Sequence, residues 1–194
     1  MPHRQRSADP ELARIGRRHQ QRGRNAVAAL GRRSDRCQAP EAVRHQHDAP
    51  SGRIDALERI FDAYPGKIAC VILEAATTAD PPSGYLGRVR ELCTRNGTVL
   101  VIDEMITGFR WHKQGAQALY GIEADLATFG KGIANGFSFA ALVGRRDIME
   151  LGGIKSARPR VFLLSGTHSA ENHAIAAARA TLDIFKREPV CETM

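Results

Sequence analysis

This chain of 194 residues predicts an α/β fold with a mostly parallel sheet, and three observations carry that reading. Short, nearly continuous apolar runs have the length of buried strands. Segments with apolar residues at helical spacing lie between those runs. Charged residues stand within two positions after three of the runs, at the carboxyl ends where open α/β sheets collect functional side chains.

Taken in order, Ile54, Leu57, Ile60, Phe61 and Tyr64 recur at helical spacing, and Pro65-Gly66 stops that helix. Ile68 to Leu73 is an apolar run, as expected of a strand buried on both faces. A loop with Pro81, Pro82 and Gly84 leads to a helix with Leu86, Val89, Leu92 and Cys93 on one side, closed by Asn96-Gly97 as a left-handed cap. Thr98 to Ile102 reads as a second buried strand. Strand, helix and strand together make a βαβ unit, which implies parallel pairing. Leu126 to Phe129, Phe139 to Val143 and Val161 to Leu164 read as further strands. Ser169 to Lys186 is the longest helical pattern, with Ala170, Ala174, Ala177, Ala178, Thr181, Leu182 and Phe185 on one face. There is no internal repeat.

The charge is uneven. Residues 1–50 hold 11 Arg, no Lys and 5 acids, whereas residues 51–194 are close to neutral. The head also lacks Phe, Trp and Tyr, so it has too little bulky apolar surface to offset chain entropy. The expectation is a basic, disordered extension over 1–50 and one folded domain over 51–194. Arg-rich tails bind nucleic acid by neutralising phosphate. Here no aromatic residue interleaves with the arginines to stack on bases, so that alternative is the weaker one. Arg without Lys, mixed with Ala, Gly, His and Gln, is instead what a GC-rich gene gives when read from a misplaced start or a shifted frame. No run reaches the roughly 20 apolar residues of a membrane helix, and the head has no apolar core of a secretory signal. The cysteines, Cys37, Cys70, Cys93 and Cys191, have neither metal-ligand nor disulfide-framework spacing. Buried thiols in a reducing, cytoplasmic setting are expected, with no metal site.

Glu74, Asp103 and Lys131 each follow a predicted strand. A lone lysine in a glycine-rich loop is usually a solvated surface residue, and an aspartate at a strand end is often only a turn residue. The combination is what counts. Lys131 is flanked by Gly130 and Gly132, which lets backbone pack closely around it. Asp103 ends a run with no polar residue from Val99 to Ile102, so its carboxylate needs a partner. A phosphate-binding P-loop is excluded, because position 125 is Asp where the first glycine belongs and Gly132 follows Lys131 where Ser or Thr is required.

The run Leu100-Val101-Ile102-Asp103-Glu104-Met105-Ile106-Thr107-Gly108-Phe109-Arg110 resembles the D-E-x-x-T-G-F-R signature of class III aminotransferases, the glutamate-1-semialdehyde aminomutase type. Asp125 to Gly132 resembles the same family's lysine segment, and Ser165-Gly166-Thr167-His168 before an alanine-rich helix resembles its third marker. The resemblance spans Ile54 to about Arg187. It implies part of the large domain of a fold-type I transferase that uses pyridoxal 5'-phosphate. Lys131 would be the Schiff-base lysine and later the base that moves the substrate proton. That requires its amine to shed a proton ordinarily held up to a pH of about 10.4. Asp103 would pair with the pyridine nitrogen. Met105 would pack on the ring or serve as plain core. Thr167 would reach the cofactor phosphate from the neighbouring subunit, implying a homodimer, and Glu74 would edge the pocket. The family usually has Glu-Pro where this chain has Glu74-Ala75. Its glycine-rich phosphate loop and its small domain have no counterpart here, so a partial chain is expected.

Overall fold

The computed structural model of the chain describes residues 28–31, 54–76, 79–152 and 171–194. Their strands are β1 (Ala28–Gly31), β2 (Ile68–Leu73), β3 (Val99–Asp103), β4 (Leu126–Phe129) and β5 (Ala141–Gly144). The helices are α1 (Ile54–Ala63), α2 (Tyr85–Arg95), α3 (Ala116–Leu119), α4 (Arg146–Met149), α5 (Asn172–Arg187) and α6 (Val190–Thr193), with single 3-10 turns at Lys131–Ile133 and Glu150–Gly152.

The strands form one sheet in chain order. β2, β3 and β4 run parallel, and β1 and β5 close its edges antiparallel. The expected βαβ unit is therefore β2–α2–β3. Its helix ends as the Asn96-Gly97 pair predicts. Gly97 has φ +61, the Asn96 side chain donates to the Leu92 carbonyl at 2.8 Å, and the Thr98 N–H reaches the Cys93 carbonyl at 2.9 Å. The Thr98 hydroxyl then donates to the Ile68 carbonyl, tying the starts of β2 and β3 together.

Burial departs from the sequence expectation in an informative way. Val71, Leu73, Leu100, Ile102, Ala127 and Phe129 are buried, and strand register sets them on one face of the sheet. Leu57 and Phe61 of α1 and Leu86, Val89, Leu92 and Cys93 of α2 pack against this face at β2 and β3. Ala178, Leu182 and Phe185 of α5 pack against it at β4. On the opposite face Val101 is buried, but Ile72, Val99, Leu126 and Thr128 are only half-buried. The apolar runs predict cover on both faces. Among the described residues all three of these helices lie on one.

Two strands differ from the sequence reading. Phe139 to Val143 reads as a strand, but β5 runs Ala141–Gly144. Its extent is set by pairing: Ala141 opposes Phe129, Gly144 opposes Leu126, and the Arg145 N–H bonds the Asp125 carbonyl. β1 lies where composition predicts no ordered element. An edge strand is held by backbone hydrogen bonds, which residue composition does not register. The strand expected at Val161 to Leu164 lies outside the described residues.

Candidate active site

Leu73 sits beside Ile102 across the β2–β3 pair, so the next residues, Glu74 and Asp103, stand side by side at the carboxyl ends of these strands. Asp103 in turn sits beside Thr128 of β4, and Lys131 follows two residues after that strand. Topology thus gathers the three charged residues the sequence singles out.

Asp103 is half-buried on the open face. Its Oδ1 accepts from the Met105 N–H at 2.9 Å and from the Thr128 hydroxyl at 3.1 Å. Both bonds fall on the same oxygen, and no described residue donates to Oδ2. A carboxylate held firmly through one oxygen with the other available suits recognition of a protonated ring nitrogen. Glu74 accepts no hydrogen bond from a described residue. Burial pushes its carboxyl above the usual glutamate range, the Asp103 charge adds to that, and the Lys131 charge opposes it.

Lys131 begins a single 3-10 turn with φ +44, a left-handed conformation uncommon for a residue with a Cβ. Asn135 (φ +45) and Phe109 (φ +60) share this feature. Three such residues clustered in one loop system mark a place where the surroundings over-determine the backbone, as at functional sites. The lysine is exposed, and no described residue bonds its amine. Gly130 explains how Met105 comes so near: a methyl group there would overlap Met105 Cε and lie 2.7 Å from Sδ. Its φ of −162 is open to any residue, so contact alone requires the glycine. Gly130→Ala is expected to turn the Met105 side chain out of this seat at about 1 kcal/mol, because a thioether chain yields easily. A urea titration reads that cost, and an unchanged midpoint denies the contact.

Sequence reasoning gave no weight to Glu104, yet it is the best-connected side chain of the loop. It is 0% exposed. Its carboxylate accepts from the Thr107 hydroxyl, from the Ala116 N–H at 2.8 Å and from the Gln117 N–H at 3.0 Å. Gly115, at φ +88, has no room for a Cβ because this carboxylate fills the space. The loop so fixed carries Phe109, which packs edge-on against Phe129 and against Phe185 of α5. Gly132, in the lysine turn, lies against Gly108 and Phe109 at 3.4–3.6 Å from the position of a built Cβ. Glu104 thus supports the floor on which the lysine turn rests. The signal that could have revealed it was the glycines at 108 and 115 flanking a short polar loop.

Asp125, on the amino side of β4, is a second buried carboxylate. It accepts from Arg90 at 2.8 Å, from Arg145 at 2.9 Å and from the Leu100 N–H at 2.7 Å. Burial alone would raise its pKa, but the Leu100 N–H and the two guanidiniums outweigh burial and hold it below the usual aspartate range. A cleft of about 780 Å³ opens beside this cluster, lined by Arg90, Thr94, Asp125 and Arg145 among others. It lies at the amino ends of β3 and β4, away from Lys131, and its cations are already matched by Asp125 and Asp147. Catalytic residues of parallel sheets gather at the other end. Thr167 lies outside the described residues.

A family model described as aminotransferase class-III matches residues 31–194. The glutamate-1-semialdehyde 2,1-aminomutase of Anaeromyxobacter dehalogenans is 35% identical over 183 residues, covering 92% of this chain and 40% of the relative. That of Neisseria meningitidis is 41% identical over 149 residues, covering 73% of this chain and 33% of the relative. The chain therefore spans about two fifths of the first of these relatives. A match covering 92% of the chain also reaches into its first fifty residues. Among solved structures, the Sphingopyxis sp. MTA144 FumI protein in its PLP internal aldimine form superposes with a TM-score of 0.65 at 28% identity, covering 74% of this chain and 34% of that one. A glutamate-1-semialdehyde-aminomutase from Pseudomonas aeruginosa PAO1 in complex with PMP gives 0.57 at 27% identity, covering 69% and 31%.

Proposed function

We propose, from the premise that this chain belongs to the class III aminotransferase family, that it is the cofactor-lysine portion of a pyridoxal-phosphate-dependent enzyme of the glutamate-1-semialdehyde type. Such an enzyme moves an amino group between molecules or within one. The observation that carries the reading is the juxtaposition of Glu74, Asp103 and Lys131 at the carboxyl ends of adjacent parallel strands, with one Asp103 oxygen left for an incoming donor.

The residues fit the cofactor. Lys131 would supply the amine that holds the cofactor's aldehyde carbon. Asp103 would accept the ring N–H, Met105, which lies against the lysine turn, would pack on the ring, and Thr167 would meet the phosphate, as the family resemblance implies. Glu74 edges the pocket. When bound, pyridoxal phosphate supplies an electron sink that makes a substrate α-hydrogen acidic. The chain's own contribution is to orient that ring through Asp103 and to move the proton at Lys131 Nζ. The family resemblance implies that Thr167 would come from a neighbouring copy, so the working unit we propose is a homodimer. Small-molecule amino donors and acceptors are its partners. We place the protein in the cytoplasm, a setting that Cys93, a buried thiol, suits. No helix among the described residues is long and apolar enough to cross a membrane.

Borohydride reduction after incubation with pyridoxal phosphate, followed by peptide mapping, tests the reading. A stoichiometric pyridoxyl adduct confined to Lys131 supports it, and labelling scattered over Lys67, Lys113, Lys155 and Lys186 overturns it. Asp103→Asn is expected to keep the adduct but weaken cofactor retention about 10- to 100-fold, since a charge-assisted hydrogen bond contributes roughly 1.5–3 kcal/mol. Equilibrium dialysis measures that loss. A second reading, a non-catalytic member of the family, draws on Lys131, which is exposed and whose amine no described residue bonds. It predicts no adduct at all.

A further inference from the structure

We propose that Thr128 is a positioning residue of the cofactor site, whose hydroxyl decides which oxygen of Asp103 is presented to the ring nitrogen; this rests on the reading of Asp103 as the ring's partner. β3 and β4 pair in register, so Asp103 and Thr128 stand side by side on the same, half-covered face of the sheet. The Thr128 hydroxyl donates to Asp103 Oδ1 at 3.1 Å, and the Met105 N–H donates to the same oxygen at 2.9 Å. Thr128 also holds the backbone of that loop, because its carbonyl accepts from the Glu104 N–H at 2.9 Å. The strand end that carries Asp103 is thus tied to Thr128 through both main chain and side chain.

Each part of this contact suits the aiming of a carboxylate. The last torsion of an aspartate side chain is broad, so a single donor leaves the two oxygens free to exchange places. The Met105 N–H comes from the aspartate's own loop, two residues on, and moves with it, whereas Thr128 belongs to the next strand and gives a fixed reference. A threonine is stiff at its first torsion, and its hydroxyl has a single proton to give. On its other side Thr128 opposes Leu142 of β5, an apolar side chain that offers that proton no rival acceptor. With Oδ1 carrying both donors, Oδ2 is the oxygen turned to an incoming N–H. A valine at this position would keep the β-branched shape that suits the strand and remove the donor.

Equilibrium dialysis of the full chain against pyridoxal phosphate tests the role in Thr128→Val, Thr128→Ser, Asp103→Ala and the Asp103→Ala, Thr128→Val double variant. Thr128→Val is expected to weaken retention about 3- to 10-fold, the worth of one hydrogen bond. Thr128→Ser, which keeps the hydroxyl, is expected to stay near the unsubstituted chain. In the Asp103→Ala background Thr128→Val is expected to weaken retention no further, because the carboxylate it aims is gone. An equal loss in both backgrounds marks a merely structural threonine and overturns the inference. Urea unfolding of the same chains reads the contact without cofactor. Midpoint losses that fall short of additive in the double variant support the bond, and additive losses overturn it. If the unsubstituted chain retains no pyridoxal phosphate, the cofactor reading and the positioning role fall together. If it retains the cofactor and Thr128→Val retains it equally well, only the positioning role falls.

Discussion

Lys131→Ala is expected to abolish the borohydride-trapped pyridoxyl adduct while leaving the fold in place. The lysine is exposed and its amine is bonded to no described residue, so its removal takes away no buried contact. Surface substitutions of this kind usually change stability by no more than about 0.5 kcal/mol. Alanine also carries a Cβ, so the left-handed conformation at position 131 is no easier for the variant than for the native chain. Loss of function with an unchanged urea midpoint is therefore the expected pair of results. Lys131→Arg sharpens it: a guanidinium keeps the positive charge but offers no free amine at any accessible pH. If either variant still forms one adduct per chain, the lysine turn is not the attachment point.

Glu104→Ala is expected to be the most damaging single change to the fold itself. The Thr107 hydroxyl and the N–H groups of Ala116 and Gln117 all donate to this carboxylate, and none of the three would retain it as acceptor. Each buried donor left unpaired costs about 1–3 kcal/mol. A total on the order of 3–5 kcal/mol is a large share of the roughly 5–15 kcal/mol that holds an ordinary domain folded. Glu104→Gln keeps one oxygen acceptor but turns an amide N–H toward an N–H donor, so its cost is expected to be smaller, about 1–3 kcal/mol. Urea unfolding of the two variants measures both values. A midpoint in the alanine variant equal to that of the native chain denies the clamp.

Much of the fold was legible because its signals are local. The run Ile68 to Leu73 reads as a strand by itself, and the Asn96-Gly97 pair ends its helix through backbone geometry that few other residues accept. Leu126–Phe129 is a strand in both readings. The candidate site was legible for a related reason. Once three strands are read as parallel, the residues following them must gather at one end, and Glu74, Asp103 and Lys131 do.

What the sequence could not decide was which side of the sheet each residue faces and what meets it there. Asp103 and Glu104 are adjacent carboxylates, indistinguishable as residue types. Pleating sends them to opposite faces, one toward the open site and one into full burial beneath a clamped loop. The alternation is written in the sequence, but which face the helices cover is fixed only when α1, α2 and α5 pack. Asp125 and Arg145 are likewise ordinary charges until β4 and β5 pair and bring them within 2.9 Å. Local order follows from propensity and pattern in the chain by itself. Burial, pairing and the division of charges between scaffold and site depend on contacts across 20 or more positions, which only the folded sheet supplies.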